Sequence, residues 1–176
     1  MQSLSYPIGT FNYTGPYTTE VRAQLIAEIE SLPQRLREAV ASLEPYQLDT
    51  PYRPEGWTVR QLLHHVPDSH ANGYIRTKLT LTEDTPTIKP YLEDAWAHLP
   101  DTELVPVETS LTMLEVIHER WVAIWKSMKP EQFERRYFHP ESKDYVSLDT
   151  QLGLYAWHSN HHLAHVTELN KRMGWL

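Results

Sequence analysis

Four stretches of this chain carry apolar residues at helical spacing, and segments rich in proline separate them. Val21, Leu25, Ile26 and Ile29 open the first, and Leu36, Val40 and Leu43 resume it after Pro33. Thr18 or Thr19 can cap this helix, with Glu20 in its first turn. Pro33 predicts one kinked helix or two short ones. The second stripe is Val59, Leu62, Leu63 and Val66, capped by Thr58, and it continues through Tyr74, Ile75, Leu79 and Leu81. Pro67 inside it predicts a kink and a carbonyl released one turn back. A third helix runs from about Ser110, a candidate cap, to Met128, with Leu111, Leu114, Ile117, Trp121, Ile124 and Trp125 on one face, and Pro130 ends it. The fourth runs from Ser147 or Leu148 to Met173 over Leu148, Leu152, Tyr155, Val166 and Leu169, and Gly174 suits its stop.

The intervening segments have no such period. Residues 1–17 hold Pro7, Gly9, Gly15 and Pro16 and read as an extended arm. Residues 44–56, with three prolines and Gly56, read as a loop. Residues 84–108 are too long for an ordinary connection and suit a crossover between helices two and three that are not simple neighbours, with a short helical patch at Trp96. Residues 133–146 place a turn between two aromatic-rich arms, as in a short hairpin. The fold class is all-α, a four-helix bundle forming a single domain over 1–176.

Composition narrows the functions open to such a bundle. At 176 residues the chain can bury a core without staples. It has no cysteine, so disulfides, a catalytic thiol and thiolate-bound metal are excluded, and any metal must sit on histidine and carboxylate. The formal charge of -7, with no Lys/Arg run, points away from nucleic acid and anionic membranes. Met1 to Gly9 lacks a signal-peptide pattern, and no apolar run approaches the ~20 residues of a membrane span, so a cytoplasmic setting is expected.

Histidine is the chemistry that remains. Seven of the ten histidines fall in two windows, His64, His65 and His70 in the second helix and His158, His161, His162 and His165 in the fourth. Residues four apart share a helix face, which pairs His158 with His162 and His161 with His165, the two pairs turned by about 60 to 100°. His158 and His162 fall close to the apolar stripe, His161 lies farther from its middle and His165 near its edge. On the second helix Leu62, His65, Val66 and Ser69 share the inward phase, while His64 is offset by about 100°. His65, His158 and His162 would thus form a three-imidazole site with open positions, as catalytic zinc sites do. Imidazole also suits nickel, iron and copper, so spacing cannot name the metal. One divalent ion per chain is expected, with zinc the first candidate and nickel the second.

Other chemistries find no motif. Ser159 occupies the position where a metalloprotease His-Glu-x-x-His needs glutamate, and there is no dinucleotide, Walker or nucleophile-elbow signature. Asp68 and Glu168 could orient a ligand imidazole, although an ordinary solvated carboxylate is the favoured reading of each. Arg53, Arg60 and Arg76 could hold an anionic substrate group, with surface pairing to a carboxylate the simpler expectation. Trp121 and Trp125 read as core rather than as a dimer surface.

Several stretches also resemble a known family: residues 4–9 (Leu-Ser-Tyr-Pro-Ile-Gly), 48–53, 56–65 (Gly-Trp-Thr-Val-Arg-Gln-Leu-Leu-His-His), 68–76, 153–165 and the ending Arg-Met-Gly-Trp. Together they resemble the YfiT branch of the DinB-like metal-dependent hydrolases, which is similar to bacillithiol S-transferases. Asn160 stands where relatives carry a further histidine, and Pro67 where they carry alanine. The resemblance implies a four-helix bundle, a homodimer, and a metal on His65, His158 and His162. It implies a hydrolase acting on a small molecule through an activated water. The alternatives are a thiol S-transferase joining a low-molecular-weight thiol to an electrophile, and a non-enzymatic metal- or ligand-binding protein.

Overall fold

The computed structural model describes residues 4–175. It has seven helices, α1 (Thr19–Val40), α2 (Pro45–Leu48), α3 (Val59–Thr82), α4 (Glu93–Ala97), α5 (Asp101–Leu104), α6 (Val107–Ser127) and α7 (Leu148–Met173), and a hairpin of β1 (Arg136–His139) and β2 (Asp144–Ser147). The four long helices are the four expected from periodicity. Thr18 caps α1, Thr58 and Gln61 close a capping box on α3, Ser147 caps α7, and Gly174 ends α7 in the left-handed conformation with φ 66°.

The long helices form a four-helix bundle in which α1 touches α6 and α7, and α3 touches α6 and α7. Side-chain bonds give the directions. Arg22 reaches Asp149 and Asn170 reaches the Ala39 carbonyl, so α1 and α7 run parallel. His64 meets Ser110 and Trp121 meets Thr77, so α3 and α6 also run parallel. The crossover therefore joins neighbours, contrary to the expectation of helices set apart. Its length is required because parallel neighbours need the chain brought back to the starting end. It carries the one-turn helices α4 and α5.

Three boundaries differ from the sequence reading. α6 begins at Val107, three residues before the expected Ser110 cap, and Ser110 is buried instead against His64. Residues 45–48 form a helical turn within the expected loop. Neither Pro33 nor Pro67 splits its helix. Each proline removes one N–H, leaving the Ile29 and Leu63 carbonyls without their usual in-helix donor. The hairpin stands as expected, pairing Arg136 with Ser147 through His139 with Asp144.

Two apolar clusters fill the bundle. One gathers Leu32, Leu36, Leu62, Leu114 and Val166, and the other gathers Ile29, Trp121, Trp125, Leu148 and Leu152. Trp121 and Trp125 are fully buried, the core reading rather than the dimer surface. The arm, whose first three residues lie outside the described ones, runs along α7. Tyr13 Oη and the Tyr17 backbone N–H both donate to buried Asp149, and Trp157 Nε1 donates to the Gly9 carbonyl. No helix of the described residues is long and apolar enough to cross a membrane.

Candidate metal centre

Antiparallel packing of α3 against α7 brings the two histidine windows together. His65, His158 and His162 each offer a ring nitrogen within 4.8 Å of the others. His65 and His162 are buried and His158 is half-buried. The Nε2 atoms of His158 and His162 lie 3.1 Å apart. Metal–nitrogen bonds of about 2.1 Å set two ligand nitrogens about 3.0–3.4 Å apart for angles between 90° and tetrahedral. The donor set therefore fits a divalent ion that accepts imidazole. The Trp57 ring lies 4.7 Å from that of His65, centroid to centroid, and restricts it.

Burial makes these rings good ligands. Desolvation, the largest cause, lowers His65 to about 4 and holds His158 and His162 well below the ordinary histidine value, with neighbouring imidazoles adding to the effect on the latter two. Each ring is neutral at pH 7 and keeps a lone pair to donate.

The remaining histidines have other partners. His64 Nδ1 meets Ser110 Oγ at 2.7 Å, facing α6. His161, His162 and His165 form a second group with mutually close nitrogens. That group shares His162 with the first, Trp157 stacks on His161 at 4.5 Å, and Tyr52 stacks on His165 at 4.1 Å. His161 and His165 are thus buried under the arm and the 44–57 segment, more covered than their place beside the stripe suggested.

Sequence reasoning missed His118. It is 2% exposed on α6, and it sits four residues after Leu114 and three before Trp121, a phase that marks it as inward. It bonds His70, and His70 bonds His158 Nδ1 at 3.1 Å. His70, fully buried, therefore belongs with the centre although it follows Pro67.

Of the candidate carboxylates, Glu168 pairs with Lys171 at 2.7 Å on the exposed helix end. Asp68 is raised to about 6, by burial first and by Asp101 second. Arg60 pairs with Asp49. Arg53 and Arg76 differ from the surface-pairing expectation, because no carboxylate oxygen of the described residues lies within ion-pair distance of either. Arg53 donates to the Pro54 carbonyl and Arg76 to that of Lys89.

Two hollows reach the centre. One, of about 540 Å³, is walled by the three histidines together with Trp57, Arg53 and Glu93. The other, of about 440 Å³, is walled by His158, Tyr155, Tyr91, Arg76 and Glu93. A larger hollow of about 760 Å³ lies at the base of the hairpin and has no histidine on its walls.

Comparison with known proteins identifies the family. The family description "DinB superfamily" matches residues 28–166. A Bacillus mycoides protein named "Putative metal-dependent hydrolase" is 53% identical over 175 residues, covering 99% of this chain and all of the relative. A Bacillus cereus protein with the same name is 54% identical over the same share. Among solved structures, YfiT from Bacillus subtilis, described as "a probable metal-dependent hydrolase with an unusual four-helix bundle topology", superposes with a TM-score of 0.96. It shares 47% identity, over 98% of this chain and 99% of its own. With its family match over most of the bundle and full-length relatives more than half identical, the chain belongs to the DinB superfamily.

Proposed function

We propose that the chain is a metal-dependent hydrolase of a small-molecule substrate, holding one divalent ion on His65, His158 and His162, with zinc the first candidate and nickel the second. The observation that carries this reading is the 3.1 Å approach of the Nε2 atoms of two neutral imidazoles, one buried and one half-buried, on the wall of an open hollow. Such an ion, when bound, supplies a Lewis acid that brings the pKa of a water toward neutrality. His65, His158 and His162 would hold it, and the hollow they wall would admit water and substrate.

The surrounding residues do the rest. Both hollows fall in the size range of small-molecule sites. Arg53 on one wall and Arg76 on the other, each bonded to a backbone carbonyl but to no carboxylate of the described residues, would hold an anionic substrate group. Glu93, on both walls, has its carboxyl raised by burial and by Glu141 and Asp94, which suits a group that takes up and returns a proton. The relatives' names support the reading as well, since they are called "putative" or "probable" hydrolases that depend on a metal.

The test is metal analysis of untagged protein followed by turnover on an ester and amide panel. About one ion per chain, and hydrolysis that a chelator stops and added metal restores, is the expected result. Turnover only with a low-molecular-weight thiol and a chromogenic electrophile would make the protein an S-transferase. Bound metal with no turnover on either panel would make it a binding protein.

A further inference from the structure

A single file of imidazoles leads from the centre through the bundle to α1. The Ile29 carbonyl oxygen lies 2.6 Å from His118 Nδ1, His118 Nε2 lies 2.7 Å from His70 Nδ1, and His70 Nε2 lies 3.1 Å from His158 Nδ1. Ile29 and His70 are fully buried and His118 nearly so. The file begins at a sequence feature. Residue 33, four after Ile29, is the proline inside α1, so no helical N–H is available to that carbonyl, which is left to accept from His118.

A carbonyl can only accept, and a neutral imidazole has one N–H and one bare nitrogen. His118 must therefore carry its proton on Nδ1, leaving Nε2 bare to accept from His70. His70 then carries its proton on Nδ1 and accepts at Nε2 from His158 Nδ1–H. The nitrogen left bare on His158 is Nε2, the atom 3.1 Å from His162 Nε2. Trp121 and Tyr155 both meet the His70 ring edge-on at 90° and block its rotation.

We propose that His118 and His70 are positioning residues that, anchored on the Ile29 carbonyl, lock the ring of His158 and its tautomer so that a lone pair faces the metal position. This rests on the assignment of His158 as a ligand. Without the file, the His158 ring is free to rotate and to present Nε2–H, and a share of molecules is then unable to bind. Outer partners of ligating histidines typically contribute about 10–100-fold in metal affinity. Burial lowers His118 to about 4, so its ring is neutral at pH 7.

Long-range 1H–15N NMR of the metal-free protein reads the three tautomers directly. His118, His70 and His158 are all expected as Nδ1–H, and an Nε2–H tautomer at His70 or His158 overturns the proposal. Chelator competition then measures affinity in two variants. His118→Phe keeps bulk but removes the acceptor, and should lower zinc affinity about 10–100-fold. His118→Gln keeps an acceptor oxygen for His70 Nδ1–H and should restore most of it. Val122→Ala, a buried change one turn along α6, should lower stability without moving affinity. Unchanged affinity in His118→Phe, or an equal loss in Val122→Ala, overturns the proposal. If His118→Phe does not fold, the tautomers of the unaltered protein decide. Failure of the wild-type protein to bind any metal would instead remove the proposed function, and the tautomer result would stand apart from it.

Discussion

His158 and His162 bring their Nε2 atoms to 3.1 Å across one turn of α7. Two bare lone pairs repel at that distance, so a cation must lie between them or one ring must donate a proton to the other. With the tautomers proposed above, His162 Nε2–H would be the donor in the metal-free protein, because the His70 bond would leave His158 Nε2 bare. In the proposed centre an ion would take the place of that proton, with His162 then carrying its proton on Nδ1. Untagged protein is therefore expected to hold about one ion per chain, and His158→Ala with His162→Ala to hold none. Loss of His65 alone should cost at least the 10–100-fold typical of a lost supporting bond to a ligand. Retention of full metal by the double variant, measured by elemental analysis, would refute the assignment.

His161 and His165 offer a sharper check on which face of α7 is used. They form the other i,i+4 pair, and with His162 they could hold an ion of their own. The rings of Trp157 and Tyr52 lie flat against them. His161→Ala and His165→Ala should each keep one ion per chain and lose about 0.5–1.5 kcal/mol of stability from the broken aromatic contact. If either variant loses its metal while remaining folded, the centre lies on this second face.

Stability of the metal-free protein should fall in acid. Burial lowers His65 and His118 to about 4, and takes His70, His158 and His162 well below the usual value. In the unfolded chain these rings titrate near 6.5. Between the folded and unfolded values the unfolded chain binds more protons, so stability is full above about 6.5 and is lost as pH falls through about 4. Asp68 acts in the opposite sense. Its carboxyl is raised to about 6, so it favours the folded state increasingly as pH falls from there toward 3.8. Glu93, also raised, acts with Asp68, while His161 and His165, both lowered to about 4, add to the five rings, and the histidines win. Urea midpoints of chelator-treated protein should drop between pH 7 and pH 5, each ring contributing up to about 1.4 kcal/mol per pH unit. A flat profile over that interval would mean that the rings are solvated in the folded protein.

The helices were legible because leucine and tryptophan mark the core faces of α1, α6 and α7. The meeting of His65, His158 and His162 was legible because each sits in phase with the apolar stripe of its own helix. What escaped was the second half of α3. Continuing its stripe by hydrophobicity led to Ile75, which is 53% exposed. The inward positions after Pro67 are instead Ser69, His70, Gly73, Thr77 and Thr80. Polar side chains occupy this core because each has a partner there. Trp121 Nε1 donates to Thr77 Oγ1, Thr77 donates to the Gly73 carbonyl, and His70 bridges His118 and His158. A pattern that scores only apolar residues cannot see a face built this way. His118 escaped for the same reason, although its spacing from Leu114 and Trp121 already marked it.

Gly73 tests whether that polar face sets the separation of α3 and α7, and hence the distance from His65 to the ligand pair on α7. A Cβ added at Gly73 would lie 2.6 Å from Trp121 Cη2 and would overlap the Tyr155 ring. Neither ring can move freely. Tyr155 Oη donates to the Ser69 carbonyl, Trp121 is held by Thr77, and Gln151 Nε2 bonds the Gly73 carbonyl itself. In an open helix Gly→Ala would stabilise by up to about 1 kcal/mol through propensity. Here overpacking of about 1–3 kcal/mol opposes it, so the net effect is destabilising. The displaced Tyr155 ring also packs against His70 and His158, so metal affinity should fall together with the thermal midpoint. Measuring both separates the possibilities. A Gly73→Ala protein with a raised midpoint would show that the helices part at no cost. One with a lowered midpoint and unchanged affinity would show that the ligand geometry does not depend on this contact.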